Sequence, residues 1–181
     1  MRLGIADHLG WAVAVTATSR HQVVDRRRIE LVEPDVCAAP IHYEGKHLDP
    51  AATAALVEKV RASVIRASSA AFDELAVALP APITSISMRT WPSDFPRDLD
   101  VQLRSPWEAR ADAVMYRELL AELAQARGWQ VHLYDARNVE REAAAVLGDR
   151  AHEVLRGPRA TLGPPWAKDH RTALAATVVS S

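Results

Sequence analysis

Two connections of three residues each constrain this chain more than any other feature. Asp7-His8-Leu9 and Ser19-Arg20-His21 separate three strand-like runs, Leu3 to Ala6, Gly10 to Thr18 and Gln22 to Val32. In the second run Trp11, Val13 and Val15 alternate with smaller residues, the period-2 signature of a strand. Parallel neighbours need a crossover of about a dozen residues or more, so connections this short force an antiparallel meander. Within the third run Arg26, Arg27 and Arg28 must point to alternate faces.

Beyond the meander the periodicity changes. Residues 34 to 49, with Pro34, Pro40 and Gly45, read as a loop. Asp49-Pro50 is an N-cap followed by proline at the first helical position, and Leu56, Val60, Val64, Ala67, Ala71 and Leu75 recur at helical spacing. Pro80 and Pro82 end that helix. Ile83 to Met88 is a short β-branched run, a fourth strand, and Arg89 to Arg104 is a loop. Ser105-Pro106-Trp107-Glu108 has the form of a capping box, followed by a helix that turns Met115, Leu119, Leu120 and Leu123 inward and stops at Gly128. Trp129 to Tyr134 is a fifth strand, Val139 to Leu147 a helix closed by Gly148, and residues 149 to 164 a helical turn with a Gly-Pro loop. The last helix begins near Pro165.

This order, β-β-β-α-β-α-β-α-α, predicts an α/β fold. Its mixed five-stranded sheet combines a three-strand antiparallel meander with two parallel strands added by right-handed crossovers, and helices flank it. A chain of 181 residues buries enough apolar surface for one domain over residues 1–181 without staples. Cys37, the single cysteine, has no internal disulfide partner, and an inert thiol is expected there. No stretch is long and apolar enough for a membrane span and the first residues read as a strand rather than a leader, so a cytoplasmic setting is expected. Lys and Arg number 22 against 23 Asp and Glu, which removes the basic excess of a sequence-independent nucleic-acid binder. His42, Glu44 and His47 share one loop but form no zinc-type spacing with a second cluster.

Three segments carry a resemblance: Leu3-Gly4-Ile5-Ala6-Asp7 in the first strand, Val131-His132-Leu133-Tyr134-Asp135-Ala136-Arg137-Asn138 through the fifth, and Asp169-His170-Arg171-Thr172-Ala173-Leu174-Ala175 in the closing helix. With the element order, they resemble the ribonuclease H-like fold, most closely its RuvC-type, Holliday-junction-resolvase-like branch. The resemblance spans nearly the whole chain. It implies that Asp7, Asp135 and Asp169 converge at the carboxyl ends of the central strands as catalytic residues and ligands of Mg2+ or Mn2+. Hard oxygen donors suit magnesium, and such a cation neutralises charge developing in phosphoryl transfer. It further implies nucleic-acid contacts by Arg89, Trp91, Arg137, Lys168 and Arg171.

The activity implied is that of a divalent-metal-dependent nuclease or resolvase-like enzyme on structured nucleic acid. The alternative is a catalytically degenerate scaffold that binds a protein or ligand. Expected partners are therefore structured nucleic acid, a protein, or a second copy of the chain in a homodimer. Three positions depart from the family pattern. Asp7 is displaced by one residue, which turns its side chain to the opposite face of the strand and leaves Ala6 facing the site. Arg89 stands near the end of the fourth strand where a carboxylate is usual. Thr172 occupies the place of an additional aspartate on the closing helix. Asp169, in the first turn of that helix, also has a purely structural explanation in the helix dipole, and the Trp91 loop, with its prolines and aromatics, reads equally as a base-stacking surface or as a loop packed on its own domain.

Overall fold

A computed structural model describes residues 1–180. Strands β1 (Arg2–Asp7), β2 (Trp11–Ala17) and β3 (Val23–Glu30) form the expected meander. β1 then pairs in parallel with β4 (Ser85–Arg89), and β4 in parallel with β5 (Gln130–Tyr134). The sheet order is β3-β2-β1-β4-β5, so the first strand is central. This is the ribonuclease H-like α/β arrangement that the element order predicts.

Helices α1 (Pro50–Ala78), α2 (Leu99–Gln102), α3 (Glu108–Ala126), α4 (Val139–Leu147), α5 (Ala151–Arg156), α6 (Pro158–Leu162) and α7 (Lys168–Val179) complete the chain. The α1 start is as expected: the Asp49 side chain accepts from the Ala52 N–H, with Pro50 in the first turn. The α3 start is not. Trp107, not Ser105, is the N-cap, so Glu108 falls at the first helical position instead of the third and no capping box forms. Likewise α7 begins at Lys168, three residues after Pro165, and the 89–104 loop contains the short α2, capped by Asp98.

Side-chain alternation along β1 divides the core into two clusters. Leu3 and Ile5 face α1 and α3, packing with Val60, Val64, Phe72, Met115, Leu119 and Leu120. Ala6 faces the other way, with Val13, Val15, Trp166 and the small residues Ala173, Ala175 and Ala176 of α7. The closeness of α7 to the sheet explains those small residues. A Cβ placed on Gly4 would lie 1.9 Å from the Ala173 carbonyl oxygen, so only glycine allows the helix to settle over β1.

The long loop after β3 is fastened by a carboxylate that the sequence reading passed over. Asp112, buried on α3, accepts the N–H groups of Ile41 and His42, both at 2.9 Å. Tyr116, one turn on, donates to the Ala38 carbonyl. Cys37 lies in this loop half-buried, and burial pushes its thiol above the ordinary range, as expected of an inert cysteine. No helix among the described residues is long and apolar enough to cross a membrane.

Candidate functional site at the carboxyl edge of the sheet

β1 and β4 run in parallel, so their carboxyl ends share one edge, and the β2 start, the β5 end and the α7 start adjoin it. Asp7 ends β1 and is 3% exposed. Gly4 lies against α7 and residues 3 and 5 against α1 and α3, so strand alternation sends Asp7 to the α1/α3 face. Ala6 holds the α7 side, as the displacement by one residue predicts.

On that face Asp7 meets arginine. Arg117 Nε of α3 donates to Asp7 Oδ2 at 2.8 Å, and Arg117 also reaches the Thr90 carbonyl at 3.3 Å. Arg89 Nε, at the end of β4, lies 3.7 Å from Asp7 Oδ1. That separation makes an ion pair but not a hydrogen bond, and Asp7 Oδ1 and Arg89 Nε are both buried without hydrogen-bond partners. One carboxylate thus sits between two guanidinium groups. Beneath them Tyr134 of β5 donates to the Ile5 carbonyl at 2.7 Å, locking β5 against β1 below the edge.

Asp135 and Asp169 have other partners. Asp135 Oδ1 accepts from the Arg137 N–H at 2.9 Å and Oδ2 from the Asn138 side-chain amide at 2.6 Å, an Asx-type turn that launches α4. Asp169 Oδ2 pairs with His8 Nε2 at 3.0 Å, which ties the first strand turn to the start of α7. The His8 ring stacks on Trp11, centroids 4.0 Å apart, and the Arg28 guanidinium lies 4.1 Å from the Trp11 ring. The edge is therefore a set of local pairings. Among the described residues no group of three or more His, Cys, Asp or Glu side chains is placed to hold a metal ion. The donor chemistry agrees: two arginines at Asp7 oppose a divalent cation by charge, and both Asp135 oxygens already accept hydrogen bonds. These residues do not fit a shared Mg2+ or Mn2+ shell.

The remaining sequence candidates divide into free and engaged groups. Arg137 and Lys168 are exposed beside the edge, without ion pairs among the described residues. Arg171 pairs with Glu140 of α4 at 3.3 Å, and Thr172, in the place of an acid, lies 3.4 Å from the same carboxylate. Trp91 is half-buried and packs against the α1/α3 core, while Phe95 meets Trp107 edge-on. The loop thus packs on its own domain. His170 is buried, and its Nδ1 lies 3.3 Å from the Ala167 N–H at the start of α7. Burial, and after it Arg26, pushes its imidazole below the ordinary range, while Asp169 acts the opposite way.

Arg117 is the functional candidate that the sequence reading missed. Val114 and Leu120, both buried, stand three residues to either side of it, so it borders the apolar stripe of α3 rather than lying opposite it. That position was visible in the helical spacing. Its partner was not, because Asp7 lies 110 residues away.

The sheet topology defines the fold as ribonuclease H-like. Among solved structures the chain is similar to T. thermophilus RuvC in complex with a Holliday junction substrate, with a TM-score of 0.55 and 13% sequence identity, over 98% of this chain and 90% of that one. No family model and no curated protein matches the sequence.

Proposed function

We propose that this chain is a ribonuclease H-like protein, related to the RuvC-type branch, that binds structured nucleic acid through an arginine-bearing carboxyl edge. The observation that carries the reading is the placement of Arg117 and Arg89 around Asp7, at the edge where this fold gathers its site. Two guanidinium groups and one carboxylate leave a net positive charge there. Arg137 and Lys168 add two exposed cations beside it. Phosphate is met by such groups directly, and the role of Asp7 is to hold Arg117 and Arg89 in place. The RuvC structure is complexed with a Holliday junction, which makes a four-way junction the natural first ligand.

Fluorescence anisotropy with a labelled four-way junction and a matched duplex tests this reading, with and without Mn2+. Junction binding is expected without divalent metal. It should weaken in Arg137→Gln and Lys168→Gln, each about tenfold at low salt. With Arg89, Arg137 and Lys168 each neutralising one phosphate, log K should fall against log salt with a slope of about −2.7. No junction binding at low salt overturns the proposal. Mn2+-dependent strand cleavage abolished by Asp169→Asn overturns it in favour of a metal-dependent resolvase-like nuclease.

A further inference from the structure

The opposite end of the sheet holds a cavity of about 920 Å³ between the β2–β3 turn and the α5–α6 segment. Arg20, His21 and Arg150 line it, and Glu153 is the one acid on its wall. Arg2, the first residue of β1, pairs with Ala17 at the end of β2, beside that turn. Among the described residues none of Arg2, Arg20 and Arg150 makes an ion pair, although eight other arginines do. Arg2 Nη1 and His21 Nδ1 are buried without hydrogen-bond partners. Buried polar atoms are ordinarily satisfied, so the orphan His21 nitrogen on the cavity wall points to a partner that enters from outside.

The turn is built to hold His21 there. His21 has φ of 64°, a left-handed conformation uncommon outside glycine. The strain is supported locally: its N–H donates to the Thr18 carbonyl, and Thr18 Oγ1 accepts from the N–H groups of Arg20 and Gln22. Burial first, then Arg2 and Arg150, push the His21 imidazole below the ordinary range, so like charges converge here without a matching counter-charge. Apolar surface from Val24, Val154, Pro158 and Leu162 forms the rest of the wall. The volume falls in the range of small-molecule sites, and a few cations above an apolar wall suit a phosphate head on an organic body.

We infer that the cavity between the β2–β3 turn and α5–α6 is a binding site for a small phosphomonoester, its dianion held by Arg20, His21 and Arg150. This site is independent of the carboxyl edge and of the nucleic-acid reading. The experiment is isothermal titration of the full chain with phenyl phosphate, inorganic phosphate and phenol. Phenyl phosphate is expected to bind saturably, inorganic phosphate about tenfold more weakly, and phenol undetectably. Arg150→Gln, on an exposed side chain, should weaken phenyl phosphate about tenfold with unchanged thermal unfolding, the loss of one charge-assisted hydrogen bond. The His21 ring resonance should titrate at higher pH with phenyl phosphate present than without it, because a bound anion favours the charged imidazole. No saturable binding of phenyl phosphate, undiminished affinity in Arg150→Gln, or a His21 titration unmoved by phenyl phosphate overturns the inference.

Discussion

Replacement of Arg117 by methionine isolates the most consequential pairing in the molecule. The Arg117 side chain is 17% exposed and that of Asp7 4%, so the substitution keeps the bulk of the buried stem and removes only the charge that faces Asp7. Breaking a buried ion pair from one side typically costs about 3–5 kcal/mol, because the surviving charge is left uncompensated. Here Arg89 remains 3.7 Å from Asp7 Oδ1, which places the expected loss near the lower bound, about 3 kcal/mol. For a chain of this size that corresponds to a fall in Tm of roughly 6–12 °C. Urea unfolding followed by tryptophan fluorescence measures the loss, with an unchanged m-value as the check that the native state stays compact. The double variant Asp7→Asn with Arg117→Met should recover at least half of it, since the uncompensated carboxylate is then gone and the charge left without its partner, Arg89, is 25% exposed. A loss below about 1 kcal/mol in Arg117→Met, or no recovery in the double variant, would refute the reasoning that Asp7 is held as a compensated buried charge.

Other substitutions test the remaining contacts. Gly4→Ala drives a methyl group into the Ala173 carbonyl and should lower stability by at least about 3 kcal/mol by chemical denaturation, whereas Gly128→Ala, which meets no atom within 4 Å but has a φ of 74°, should lose only about 1 kcal/mol. Asp112→Ala removes the acceptor of two backbone N–H groups and should cost about 2–4 kcal/mol, with faster amide exchange at Ile41 and His42 by NMR. His170 titrates below its ordinary 6.5 in the folded state, so the native form binds fewer protons than the unfolded chain. Its contribution is therefore present above pH 6.5 and declines as pH falls below it, and the stability of the native chain relative to His170→Gln should decrease between pH 7 and pH 5 in parallel urea titrations.

The elements were legible in the sequence because their signals are local. Three-residue connections specify the meander, Asp49-Pro50 starts α1, Gly148 with φ of 56° closes α4, and the displacement of Asp7 by one residue announces the face it occupies. The misread helix starts share one cause. Ser105-Pro106-Trp107-Glu108 fits a capping box as a string, and Pro165 fits a first helical residue, but the chain enters α3 at Glu108 and α7 at Lys168. Where a helix starts depends on how the preceding segment packs. Trp166, buried with its indole N–H donating to the Leu155 carbonyl at 2.9 Å, and Arg26, which donates to the carbonyls of Leu162, Gly163 and Pro165, hold residues 163–167 as a non-helical strap before α7.

By itself the sequence determined the order of the main elements, their type and the small residues of the closing helix, all of which depend on neighbours a few positions apart. Tertiary structure alone decided the partners of two of the carboxylates: Arg117 and Arg89 for Asp7, and His8 for Asp169. The reason is range. Backbone periodicity is written into every few residues, whereas the pairing of Asp7 with Arg117 or of His8 with Asp169 joins positions 110 and 161 residues apart and exists only once the sheet has closed.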